Sequence, residues 1–169
     1  VPSRRLRGPS PKVRPMDGID ELRVLPGVLY AMALGGAIGF EREMKDRPAG
    51  FRTHMLVAGT AALLLGLSRM VLEDGHYAGT GLQIDPLRLV EAVVAGVSFI
   101  GAGTIFASRS GEGVQGITTA ASLLAVAAIG ITVGFRYHLL ALAITLLTLA
   151  VLTVLRWVER RKPGAAGGD

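Results

Sequence analysis

Five apolar runs, roughly Val24 to Phe40, Met55 to Leu72, Leu87 to Ala107, Ile117 to Phe135 and His138 to Leu155, constrain this chain more than any other feature. A run of about 17–25 apolar residues is the length at which an α-helix crosses the hydrocarbon core of a bilayer. Strands are a poor reading, because the runs lack period-two alternation and alanine and leucine outnumber β-branched residues. The expected fold is an all-α membrane protein, a bundle of about five transmembrane helices. Composition agrees: half the residues are apolar and mean hydropathy lies above zero.

The runs divide the chain into a tail at 1–23, a transmembrane domain at 24–156 and a short basic, Gly-rich tail at 157–169. Residues 1–15, VPSRRLRGPSPKVRP, lack periodicity and are expected to be disordered. Ser3-Arg4-Arg5 has the outline of a twin-arginine signal, but the apolar run that follows starts late and is too long for a signal peptide. An alternative expectation is that Met16 is the true initiator. Arg4, Arg5, Arg7, Lys12 and Arg14 supply the whole net charge of +5, leaving thirteen basic against thirteen acidic residues after them. No basic face with interleaved aromatics exists, so nucleic-acid binding is set aside. Without cysteine there is no disulfide framework and no thiolate metal site.

Local signals mark several boundaries. Asp85-Pro86 reads as an N-cap followed by proline at the first helical position of the third helix. Thr118 is a candidate cap for the fourth. Arg136 and Tyr137 leave room only for a tight hairpin, making the fourth and fifth helices antiparallel neighbours.

Orientation follows from lysine and arginine in short loops. Five spans place Arg42, Lys45, Arg47, Arg52, Arg109, Arg156, Arg160, Arg161 and Lys162 on one side, nine residues, against Arg23, Arg69, Arg88 and Arg136 on the other. With the five basic residues of the tail the count is nine against nine; without them it is nine against four, and the bias then expects the N-terminus outside and the C-terminus in the cytoplasm.

The stretch Glu41 to Val57, EREMKDRPAGFRTHMLV, carries charge, a Pro-Ala-Gly turn and an Arg-Thr-His step between two apolar runs, and reads as a tight loop at the membrane surface. One reading of Glu41, Arg42, Glu43 and Arg52 is a positive-inside loop with ordinary interfacial pairs. The other is a fixed polar cluster, with the carboxylates held against Arg52 beside Thr53 and His54. Glu91 is the one carboxylate within an expected span. It either reaches the headgroups and Arg88, or faces the bundle as an ion or proton site. One carboxylate per chain suits Mg2+ only as a ring in a homo-oligomer. Gly35 and Gly39, and Gly96, Gly101 and Gly103, permit close helix packing. Gly96 to Gly103 alternatively loosens the third helix and exposes carbonyls to an ion. Residues Gly111 to Gly116, GEGVQG, match a dinucleotide fingerprint in letters only, since a membrane helix precedes them. No nucleophile, zinc or phosphate motif stands out, so neither enzyme activity nor a cofactor is expected.

The blocks GGAIGFERE (Gly35 to Glu43), RPAGFRTHMLV (Arg47 to Val57), DPLRL (Asp85 to Leu89), GVSFIGAGTI (Gly96 to Ile105) and GITTAASLLAVAAIG (Gly116 to Gly130) resemble the MgtC/SapB family of bacterial inner-membrane proteins. The resemblance covers roughly Leu25 to Leu155. It implies a multi-pass inner-membrane protein linked to magnesium limitation, virulence or acid stress, with Mg2+ the ion to consider and Thr118 and Thr119 within a family block. It also implies contacts with other membrane complexes, the F-type ATP synthase among them. Departures fall at Ala92, Ser98, Ile100 and Leu124, where the family pattern has glutamine, glycine, leucine and tryptophan. Losing a polar side chain at Ala92 weakens an ion site there unless Glu91 replaces it. Longer relatives carry a soluble domain after the last helix, and regulation by such a domain is not expected for this chain.

Overall fold

A computed structural model describes residues 22–73, 85–107 and 116–160. A 3-10 turn, Leu22–Val24, leads into five helices: α1 Leu25–Glu43, α2 Phe51–Glu73, α3 Pro86–Ala107, α4 Ile117–Gly134 and α5 His138–Arg160. Four of them are long and apolar enough to cross a membrane, and α5 carries an apolar stretch over His138–Val154. The all-α membrane fold expected from the sequence is the one adopted. Residues 1–21, most of GEGVQG, His76 and the chain after Arg160 lie outside the described residues.

Helix boundaries differ from the hydropathy reading in one important place. Phe51 already opens α2, so Arg52, Thr53 and His54 belong to its first turn and the connection is only Met44 to Gly50. Polar residues disguise this start, but a carboxylate secures it: Glu43 Oε2 accepts the Phe51 N–H at 2.7 Å. At the C-terminal side α5 continues to Arg160, beyond the expected boundary near Leu155.

Both described hairpins end their first helix in the same way. After α1, Arg47 N–H reaches Arg42 O and Asp46 N–H reaches Glu43 O; after α4, Tyr137 N–H reaches Thr132 O and Arg136 N–H reaches Val133 O. This is the Schellman pattern, and it puts Asp46 (φ 51°) and Arg136 (φ 66°) in the left-handed region. Asp85 caps α3 as expected, its Oδ1 accepting Leu87 N–H at 2.9 Å. Thr118 does not cap α4. The chain enters that helix through Gly116, at φ 93°, with no side-chain cap, and Thr118 is exposed. A Cβ at Gly116 would stand 2.7 Å from Thr104 O, so close approach to the end of α3 adds to the backbone demand.

Helices α2 and α4 form the centre. One core cluster joins Leu34 and Ile38 of α1 to Ala58 and Ala62 of α2 and Val126 and Ile129 of α4; a second joins Leu65 of α2 to Val93 and Val97 of α3 and Leu123 and Ala127 of α4. Between lipid-embedded helices, small residues matter because they let backbones meet and increase dispersion contact. At Gly39 an added Cβ would lie 2.8 Å from Phe51 Cα, and at Gly35 2.6 Å from His54 O. The outward face of α5 is large and aliphatic, with Leu139, Leu146, Leu147, Val151 and Val154 exposed. Such a face suits lipid.

Candidate functional site

The close contact of α1 with α2 brings the polar residues of the first hairpin to one end of the bundle, where α4 also begins. Arg42 sits in the last turn of α1, yet it is 3% exposed and its Nη2 donates to Thr119 Oγ1 at 3.3 Å. His54, in the first turn of α2, is fully buried. Its Nδ1 is 2.8 Å from Gly50 O and its Nε2 is 3.0 Å from Ser122 Oγ. Ser122, in turn, donates its hydroxyl proton to Thr119 O at 2.8 Å. Thr119 and Ser122 stand one turn apart on α4, so a single helix face receives both the guanidinium and the imidazole. Three helices are thereby tied by side chains whose burial would otherwise be costly.

A second group flanks the first. Lys45 pairs with Glu41 one turn earlier and also donates to Leu152 O of α5 at 3.3 Å. The second carboxylate oxygen of Glu41 is buried with no hydrogen-bond partner among the described residues. Around this interior lies an exposed charged rim of Glu43, Asp46, Arg47 and Arg52.

This geometry sorts the residues expected from sequence. Glu41, Arg42 and His54 do converge. The expected clasp between the carboxylates and Arg52 is not formed: Glu43 is engaged with the α2 N-terminus, Glu41 with Lys45, and Arg52 is exposed. Arg52 follows Phe51 by one position, and a helical turn directs it away from the side on which His54 packs. Thr53 is half-buried, and Thr119 is a direct partner of Arg42. Ser122 and Lys45 also belong to the site, without standing out as candidates in the sequence. The spacing Thr119-x-x-Ser122 on an apolar helix is the signal that could have found the serine, since hydroxyls three apart share a face.

The third helix answers differently. It is α-helical without interruption through Gly96–Gly103, so its carbonyls are not released there. Gly101 packs against Ala120 of α4, whereas Gly96 and Gly103 have nothing within 4 Å of an added Cβ. Glu91 is exposed, pairs with no described residue and lies toward the other end of the bundle. Among the described residues, no three His, Asp or Glu side chains come together as a metal site.

A family model described as the MgtC family matches residues 28–161. The putative magnesium transporter YhiD of Escherichia coli is 39% identical over 127 residues, 75% of this chain and 57% of that protein. Protein MgtC of Brucella abortus is 39% identical over 126 residues, 75% of this chain and 48% of its own. Protein SapB of Bacillus subtilis is 32% identical over 133 residues, 78% of this chain and 56% of its own. The chain thus spans about half the length of these relatives. No solved structure matches it.

Proposed function

This chain belongs to the MgtC family, and on that footing we propose that it is a non-catalytic accessory protein of the bacterial inner membrane, acting in magnesium or ion homeostasis and stress adaptation through contacts with another membrane complex. The observation that carries this reading is the exposed rim of Glu43, Asp46, Arg47 and Arg52, mounted on an end that Arg42, His54, Thr119 and Ser122 hold in place. Buried polar ties fix the backbone beneath the rim, and preorganised charges favour recognition because less ordering is needed on binding. The F-type ATP synthase is one partner the resemblance suggests. Lysine and arginine bias supports placing this rim in the cytoplasm, with the N-terminus outside.

Purification from detergent of tagged wild type and of Arg52→Ala tests the reading. Loss of a co-purifying membrane complex in the variant is expected; an unchanged set of partners would remove Arg52 from the contact.

A second reading is an oligomeric pathway for Mg2+. Glu91 favours it, because a carboxylate on the uncovered side of α3 becomes enclosed only when another subunit packs there. Vesicles containing the protein and a magnesium-sensitive dye decide between the two. Flux above empty vesicles, abolished by Glu91→Gln, supports the pathway, and its absence retires it.

A further inference from the structure

The geometry points to His54 as a proton-binding site, one that takes up and releases a proton without moving a heavy atom of the bundle. Donors and acceptors around the ring decide this. Gly50 O can only accept, so Nδ1 of His54 carries a hydrogen in either charge state. Ser122 Oγ lies within reach of both Thr119 O and Nε2; with its proton on Thr119 O, its oxygen is left as an acceptor toward Nε2. That orientation accommodates an imidazolium that donates from both nitrogens. If the proton leaves Nε2, the Ser122 hydroxyl has only to rotate, giving its proton to Nε2 instead of to Thr119 O. Thr119 O retains its place in the α4 ladder, so neither state strands a buried group.

The surroundings allow such a change of charge to be felt. On α1 the charged groups at this end are Arg42 and Glu41, of opposite sign, with Glu41 paired to Lys45 and Glu43 on the exposed rim. Helix α4 carries no charged residue; its Ser122 hydroxyl meets His54 and its Thr119 hydroxyl meets Arg42. On α2 itself Arg52 is exposed, and Arg88 and Glu91 of α3 are exposed toward the far end. Protonation consequently adds a positive charge at the α1–α2–α4 junction, beside an arginine bonded to the same threonine that receives the serine proton. The ligand is the proton itself, and the effect is to make the end that carries the charged rim responsive to pH. In that consequence the inference rests on the reading of the rim as a contact surface. The proton site can be tested separately.

The test is a ring-nitrogen NMR titration of the full chain in lipid, with 15N-labelled histidine, between about pH 8 and pH 4. His54→Gln assigns the signals against His76 and His138. Wild type should keep Nδ1 protonated throughout while Nε2 passes from unprotonated to protonated. Ser122→Ala should bind that second proton about tenfold more weakly, since a buried charged donor loses its acceptor; Ser122→Thr, which keeps a hydroxyl, should restore most of the affinity. An Nε2 that holds one protonation state across the range overturns the proposal, as does a neutral ring protonated on Nε2. If Ser122→Ala does not fold, the wild-type titration and Ser122→Thr decide alone. Partner capture by Arg52→Ala is read independently, so either result can fail without the other.

Discussion

Two glycines in this chain have opposite environments and give opposite expectations. A methyl at Gly39 meets the backbone of Phe51 and the Cβ of His54, neither of which can turn aside. Gly39→Ala should therefore destabilise the bundle by roughly 1–3 kcal/mol, the usual range for overpacking, measured as a fall in thermal midpoint in detergent. Gly96→Ala meets nothing within 4 Å, and alanine is the better helix former. It should be neutral or stabilising by up to about 1 kcal/mol. Sequence alone could not separate them, because both are glycines in apolar helices at small-residue spacing. The same holds for the arginines: Arg42 and Arg52 flank the same turn, yet only Arg42 faces α4. Nine residues lie between them, and a seven-residue connection resets the helical phase between one and the other.

At the level of elements, the number, type and approximate limits of the helices were legible, since long apolar runs admit few alternatives. Asp85 was legible as a cap because aspartate before proline satisfies an orphan amide in a known geometry. The start of α2 was not. Its first turn reads as loop by hydropathy, and the anchoring contact comes from Glu43, eight residues earlier, through three-dimensional proximity. The start of α4 at Ile117 is legible, but its cap is not: the chain enters through Gly116 rather than a Thr118 cap, beside Thr104, a contact between helices that no local pattern records. The α4–α5 turn carries its own prediction. Arg136 occupies a left-handed conformation that costs a residue with a Cβ about 1–2 kcal/mol. Arg136→Gly should recover part of that, raising the thermal midpoint in detergent.

For the whole molecule, the decisive expectation is topological. A reporter fused after Lys162 should be active in the cytoplasm, and one placed in the α2–α3 connection should report the opposite side; reversal of both would move the charged rim out of the cell. Which residues form that rim was only half legible, because hydropathy locates an end of a bundle while burial decides which charges remain available. The lysine of the first hairpin, bonded to the carbonyl of Leu152, adds a consequence for biogenesis. Residues separated by 107 positions meet there, so a nascent chain leaving the ribosome has its α1–α2 hairpin waiting for α5. The seam they close forms only once α5 is in place, and an insertion machinery releasing the chain before then would leave Lys45 facing an unfinished wall.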